Sequence, residues 1–277
     1  IVQICRQMTE SSPDSSIIYG QQALAPMNST VYKKQIAQAY FEITALNRGA
    51  RNKLLLLEMA QNTMALRRDL NDQEDLAASW KQIALIYSDQ GNYPESLKSY
   101  FRAVKIIEST TNYKLTSNIY SNIGTIFQRQ GNYQEALNYH SLAVTIGQRC
   151  NDTLMKAYTI NNLGETYRLT GNYTKALELF QQAIAIIGDY DDSWKGYFLN
   201  NLGDTYKFLE QYPQALESNF AALRLQEKHN DRYGILNSRY NLGGVYLRMK
   251  RYKEAHHYLQ DALALATTDH NFEILRD

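Results

Sequence analysis

The feature that most constrains this 277-residue chain is a tripeptide that returns at a near-constant stride: Asn122-Ile123-Gly124, Asn162-Leu163-Gly164, Asn201-Leu202-Gly203 and Asn241-Leu242-Gly243, with glycines 40, 39 and 40 residues apart. A second ladder keeps step with it: Gly91-Asn92-Tyr93, Gly131-Asn132-Tyr133 and Gly171-Asn172-Tyr173, then Tyr212 and Tyr252, where Glu210 and Lys250 replace the glycine. Three more ladders share the phase. They are an aromatic (Tyr87, Phe127, Tyr167, Tyr206, Tyr246), a small residue (Ser96, Ala136, Ala176, Ala215, Ala255) and an alanine (Ala103, Ala143, Ala183, Ala222, Ala262). Self-similarity at a fixed period marks units that cannot bury their apolar faces alone and must stack on their neighbours. Such chains grow in one dimension, so length says nothing about domain number.

Within one unit, from Tyr158 to Ile187, apolar residues recur at three- and four-residue steps on both sides of Gly171-Asn172-Tyr173. That spacing predicts two amphipathic helices joined by a tight turn. The turn glycine supplies the left-handed residue that ends the first helix. Asn92 with Glu95, and Asn132 with Glu135, have the spacing of a capping box opening the second, and Pro94 and Pro213 fit its first turn. Gly124, Gly164, Gly203 and Gly243 fall inside a helix, where glycine costs about 1 kcal/mol relative to alanine. Their recurrence predicts close contact between the two helices of each hairpin, with the aromatic of the next turn filling the space beside it.

These residues resemble the tetratricopeptide repeat, whose pattern runs Trp, Leu-Gly, Tyr, Gly-x-Tyr, Ala, an aromatic and Ala; Trp80 stands at the Trp position. The resemblance implies an all-α fold, an α-α superhelix of antiparallel hairpins forming a single solenoid over residues 1–277. It divides the chain into units 77–116, 117–156, 157–195, 196–235 and 236–275. A degenerate unit, 37–76, keeps Tyr40 and Ala60 in phase, and 1–36 reads as a partial unit whose second helix follows Pro13. The period exceeds the 34 residues usual for the family, and the proline that closes each second helix is missing. Extra residues fall at Thr110–Tyr113, Asn151–Thr153, Asp189–Ser193 and Asn230–Tyr233, to be absorbed by longer helices or longer linkers. A 40-residue period also suits HEAT, armadillo and WD arrays. WD blades need strands and Trp-Asp signatures, and HEAT units lack the Gly-x-Tyr turn.

The resemblance further implies a concave wall made by the first helix of each unit, faced by the residues two before the glycine and one and four after it. Two before come Gln82, Asn122, Asn162, Asn201 and Asn241. A carboxamide both donates and accepts, as a peptide bond requires, so such a row can hold an extended main chain without reading its sequence. The bland alternative is that these groups bond only to neighbouring helices. One residue earlier stand Lys81, Ser121, Asn161, Asn200 and Tyr240. After the glycine come Leu85, Thr125, Glu165, Asp204 and Gly244, and three further on Ser88, Gln128, Arg168, Lys207 and Leu247. Glu165 with Arg168, and Asp204 with Lys207, either pair within their helices or meet a charged ligand. Tyr158, Tyr197 and Tyr240 are expected near the groove's edge. Chaperone-tail binding members of the family need an Asn four residues after Lys81, where this chain has Leu85.

Lys and Arg number 29 against 28 Asp and Glu, so no overall field draws the chain to nucleic acid or an anionic membrane. The 22 tyrosines fall mostly in core ladders, without the basic stripe a single-strand platform needs. The long apolar run Leu54–Leu57 is too short to cross a bilayer, and no signal segment opens the chain, so a soluble region, cytoplasmic or periplasmic, is expected. Starting at Ile1 without Met and ending at Asp277 where a further helix begins, it reads as a fragment of a longer protein. Cys5 and Cys150 have no disulfide or metal spacing. His140 lies in a packing column, adjacent His256 and His257 point apart on a helix, and Asp189–Asp192 lacks calcium-loop spacing and reads as a solvated linker. No cofactor, metal site or catalytic constellation is expected. The expected function is a non-catalytic scaffold that binds a peptide or protein in its groove, in an unknown oligomeric state. Pro13–Leu24 resembles the opening hairpin of tetratricopeptide sensor regions of bacterial histidine kinases and transcription regulators. The alternatives are a eukaryotic-type adaptor similar to spindle-orientation or kinesin light chain proteins, and a structural spacer or oligomerisation array.

Overall fold

The computed structural model describes residues 1–9, 12–24, 32–48 and 52–268. Fourteen helices are found among them, and two compact units divide the chain, Ile1–Ile126 and Phe127–Asp277. The first unit holds the antiparallel pairs α1 (Val2–Thr9) with α2 (Pro13–Leu24), α3 (Lys33–Leu46) with α4 (Lys53–Asp69), and α5 (Gln73–Asp89) with α6 (Tyr93–Ile107), followed by most of α7 (Tyr113–Arg129). In the second unit α8 (Tyr133–Gly147) packs on α9 (Thr153–Leu169). The pairs α9 with α10 (Tyr173–Ile187), α11 (Asp192–Phe208) with α12 (Tyr212–Lys228), and α13 (Arg232–Arg248) with α14 (Tyr252–Thr268) complete it. The fold is all-α, of the hairpin-solenoid class. The further helix expected at the chain's end lies outside the described residues, and no helix among the described ones is long and apolar enough to cross a membrane.

Longer helices absorb the extra residues of the 40-residue stride. α5, α7, α9, α11 and α13 each run 17 residues and begin about one turn before the unit starts at 77, 117, 157, 196 and 236. An aspartate fixes the start of four of them: Asp72, Asp152, Asp191 and Asp231 each accept the amide three residues on, at 2.8 to 3.1 Å. That bond satisfies one of the donors left over at a helix start. Asp191 therefore belongs to a helix cap, and Asp192 pairs with Lys228 at 2.7 Å, so the acidic run is more than a solvated linker. Of the two expected capping boxes, Asn92 does accept the Glu95 amide at 3.4 Å, but Asn132 makes no side-chain cap bond.

The turn between the helices of a hairpin repeats in detail. The amides of Asn92, Asn132, Asn172, Gln211 and Arg251 donate to the carbonyls of Tyr87, Phe127, Tyr167, Tyr206 and Tyr246, each at 2.9 Å. This bond, with a left-handed residue just before the donor, closes the helix by a Schellman turn. Gly91, Gly131 and Gly171 supply it with φ between 71° and 79°, while Glu210 and Lys250 adopt φ of 60° and 59° without a glycine's freedom.

The core follows the ladders. Ala103, Ala143, Ala183, Ala222 and Ala262 are wholly buried. A Cβ built on Gly164 would meet the Phe180 ring at 3.0 Å, and one on Gly243 would meet Leu259 Cγ at 2.6 Å. The glycines inside the first helices thus let the second helix of the hairpin approach closely.

Candidate functional site

In the second unit the first helices α9, α11 and α13 line a cavity of about 580 Å³. Seven of the residues picked out by column spacing meet there: Glu165 and Arg168 from α9, Asn201, Asp204 and Lys207 from α11, and Tyr240 and Asn241 from α13. Three further lining residues, Phe208, Tyr233 and Asn237, lie outside those columns. Asn237 lies four residues before Asn241 and shares its helix face, so extending that column by one turn finds it. Phe208 and Tyr233 stand in columns of mixed residue type and leave no periodic signal.

The charged groups form one connected row. Arg168 donates from Nε and Nη2 to both oxygens of Glu165 at 2.9 and 2.7 Å, and from Nη1 to Asp204 Oδ2 at 2.8 Å. Lys207 donates to the other oxygen of Asp204. Burial works against the Arg168 charge, but the hydrogen bonds and charges of Glu165 and Asp204 outweigh it and hold the guanidinium protonated. The intrahelical pairing expected from the i,i+3 spacing is therefore present, and Arg168 adds a link between helices that the spacing did not anticipate. Phe208 lies under the row, with Lys207 Nζ 5.1 Å from its ring centroid and Tyr173 stacked on its side at 5.2 Å.

The carboxamide column divides by surroundings. Asn201 reaches the cavity and donates to Asn161 Oδ1 at 3.0 Å, linking α11 to α9. Asn161 is itself buried and bonded to half-buried Asn162 at 3.4 Å. Asn200 is wholly enclosed and accepts from Ser238 Oγ at 3.0 Å. In the first unit, buried Gln82 donates to the Phe41 carbonyl at 2.8 Å. Gln82 and Asn200 thus bond to a carbonyl and a hydroxyl of the adjacent first helix, and Asn161 to the carboxamides of Asn162 on its own helix and Asn201 on the next. Asn122 stays half-buried and donates to Asn118 Oδ1 at 3.2 Å, as Lys81 Nζ does at 3.3 Å. Burial, with Arg48 nearby, pushes the Lys81 ammonium down. None of the picked residues lines the acid-rich cavity of about 670 Å³ between α3 and α5.

An aromatic row borders the α9 and α11 side. Tyr158 meets Trp194 edge-on at 5.3 Å, Trp194 meets Tyr197 at 5.8 Å, and Tyr197 meets Tyr233 at 6.4 Å, between ring centroids. The Tyr197 hydroxyl donates to Asp231 Oδ2 at 2.7 Å, and burial together with that carboxylate raises its pKa.

Four overlapping matches to the tetratricopeptide repeat cover residues 75–149, 115–189, 153–228 and 196–268. No curated protein matches the chain. Among solved structures, the apo form of the quorum sensor NprR from B. thuringiensis aligns with a TM-score of 0.71 at 16% identity, over 95% of this chain and 80% of that one. The apo form of RapI gives 0.70 at 14% identity over 91% and 90%. PH0952 from Pyrococcus horikoshii, a signal-transduction ATPase with a tetratricopeptide repeat sensor, gives 0.63 at 16% identity over 95% of this chain and 42% of that one. At such identities the likeness is one of fold, while the repeat matches run without a break from residue 75 to 268: the chain belongs to the tetratricopeptide repeat family.

Proposed function

We propose that the α9, α11 and α13 cavity grips an extended segment of a peptide or protein, and that the chain is the ligand-holding region of a bacterial signalling protein. Tetratricopeptide repeats are generally non-catalytic scaffolds, and no group of three or more His, Cys, Asp or Glu among the described residues could hold a metal. The observation that carries the reading is the convergence of three carboxamides, Asn201, Asn237 and Asn241, with two tyrosines and an ion-paired row on one cavity. Its 580 Å³ lies within the range of small-ligand pockets. Carboxamides match the alternating donors and acceptors of a main chain, and a neutral charged row adds polarity without a net field.

The signalling part of the proposal draws on the fold likeness to the quorum sensor NprR and to the sensor-bearing PH0952. A direct test passes a degenerate heptapeptide library over the immobilised chain and over the Asn201→Ala, Asn237→Ala double variant. Retention by the wild type and its loss in a folded double variant is the expected result. Equal retention by both proteins would place the binding surface elsewhere. For the signalling role, the reading frame of the parent gene on either side of this chain is expected to encode an output domain.

A further inference from the structure

The turn between α13 and α14 runs Arg248, Met249, Lys250, Arg251, Tyr252, Lys253, four cations in six residues. The same six positions of the four hairpins before it hold one cation in all, Arg129. In a chain whose charges nearly cancel, this is a local concentration of one sign, and it shares no residue with the cavity described above. Arg251 is already neutralised: it donates from Nε to Glu254 at 2.8 Å and lies 4.9 Å over the Tyr246 ring. Arg248, Lys250 and Lys253 are exposed, and among the described residues no carboxylate lies within ion-pair distance of them. Glu254 stands near Lys253 but is held by Arg251, and Glu210, at the turn position of the preceding hairpin, pairs with none of the three.

Two features set this turn apart from an ordinary solvated one. Lys250 stands in the left-handed region at φ 59°, where Gly91, Gly131 and Gly171 serve the same turn without strain. Tyr252 is 63% exposed, although Tyr173, at the same position of its own hairpin, is covered by the Phe208 ring at 5.2 Å. Leu247, just before Arg248, is 52% exposed. Two large apolar side chains thus stand among three free cations. The backbone from Arg248 to Lys253 spans at most about 18 Å, so an extended segment of about six residues reaches all of them.

We infer that this turn is a second binding surface, outside the groove, and that it docks an acidic segment of a partner protein. Carboxylate side chains of that segment sit on Arg248, Lys250 and Lys253, and its apolar side chains on Leu247 and Tyr252. Charge complementarity selects the sign of the partner, and the apolar pair selects its class. A DNA duplex presents phosphates but no apolar group to cover those two side chains, and its binding commonly draws on about six to ten phosphate contacts. Anionic bilayers are recognised by clusters of about four to eight Lys and Arg. Three free cations fall short of both, whereas a few carboxylates on a protein segment match them one for one.

Fluorescence anisotropy on the full chain tests this with a labelled dodecapeptide of Glu-Glu-Leu repeats and its Gln-Gln-Leu counterpart. The acidic peptide should bind about thirty-fold more tightly, about three-fold for each of three exposed ion pairs. Arg248→Gln, Lys250→Gly and Lys253→Gln together should remove that advantage. Lys250→Gly alone should weaken binding about three-fold while raising the urea midpoint, so the loss does not come from misfolding. The Asn201→Ala, Asn237→Ala variant should bind the acidic peptide as the wild type does, and the groove reading stands or falls separately. Equal binding of the two peptides, or an unchanged affinity in the triple variant, would overturn the inference. Loss of binding in the groove variant would overturn it too, by placing the peptide in the groove. Tighter binding of a single-stranded oligonucleotide or of phosphatidylserine vesicles, lost in the same triple variant, would overturn it by assigning the patch to another class of partner.

Discussion

Arg168 on α9 donates from Nη1 to Asp204 Oδ2 on α11, 36 residues further along the chain, at 2.8 Å. It is a link between successive first helices made inside the cavity that both helices line. The two side chains are 16% and 17% exposed, so water screens the pair weakly and neither partner can easily be left alone. Arg168→Leu should therefore cost about 2 kcal/mol, because it strands Glu165 and half of Asp204. Glu165→Gln should cost less, since Asp204 still holds the guanidinium. Urea denaturation of the two variants checks the order, and an Arg168→Leu cost below about 0.5 kcal/mol would mean the pair behaves as an exposed one.

Glu210 and Lys250 occupy the turn position that Gly91, Gly131 and Gly171 fill elsewhere, and they do so at φ of 60° and 59°. A side chain in the left-handed region costs about 1 kcal/mol. Both residues are exposed, so replacing them removes no packing. Glu210→Gly and Lys250→Gly should each stabilise the chain by about 1 kcal/mol, less the backbone entropy that glycine adds to the unfolded state. The urea midpoint is the readout, and a drop in either variant would show that the carboxylate or ammonium makes a stabilising contact in solution.

Hairpins, turns and the intrahelical glycines were legible because each is enforced by a rule that repeats: a left-handed residue after the first helix, and a small residue where two helices touch. Helix length was not, since the aspartate caps Asp72, Asp152, Asp191 and Asp231 lie in the segments where the repeat pattern is weakest. The groove was legible in part. Asn201 and Gln82 share a column, yet one reaches the cavity and the other bonds to the Phe41 carbonyl. Position on a helix face decides which side a residue occupies, while the neighbouring helix decides whether any of it stays accessible. Tyr233 and Phe208 line the cavity from columns whose residue type changes at each unit, so no repeat pattern points to them.

Asn219 is wholly buried on α12, and neither its oxygen nor its nitrogen has a hydrogen-bond partner. It faces Gly203, where a Cβ would lie 2.7 Å away, and the residue in its place is Phe180 against Gly164 and Leu259 against Gly243. An enclosed carboxamide with nothing to bond costs about 1 to 3 kcal/mol. Asn219→Leu, which copies the last hairpin, is expected to stabilise by about 1 to 2 kcal/mol, read as a higher melting temperature by differential scanning calorimetry. A lower one would mean that the carboxamide finds partners in solution.

His140 sits in the same column as Tyr100, Phe180, Asn219 and Leu259, wholly enclosed, with both ring nitrogens unpartnered. Burial lowers its pKa from 6.5 to about 4, since the cation would lose its hydration with no anion to replace it. The unfolded chain therefore binds the proton more readily than the folded one. Stability from this group is fully present above pH 6.5 and is lost as pH falls toward 4. At 1.36 kcal/mol per unit, the loss across that window is about 3 kcal/mol. Carboxylates titrate in the lower half of the window, so the informative quantity is the difference between wild type and His140→Phe, whose ring copies Phe180. Urea midpoints at pH 7.5 and 4.5 should lie further apart in the wild type than in the variant: wild type should lose roughly 2 to 3 kcal/mol more on acidification. Parallel losses in the two proteins would show that the imidazole reaches water or a partner, and that its column is looser around α8 than the packing of its alanines implies.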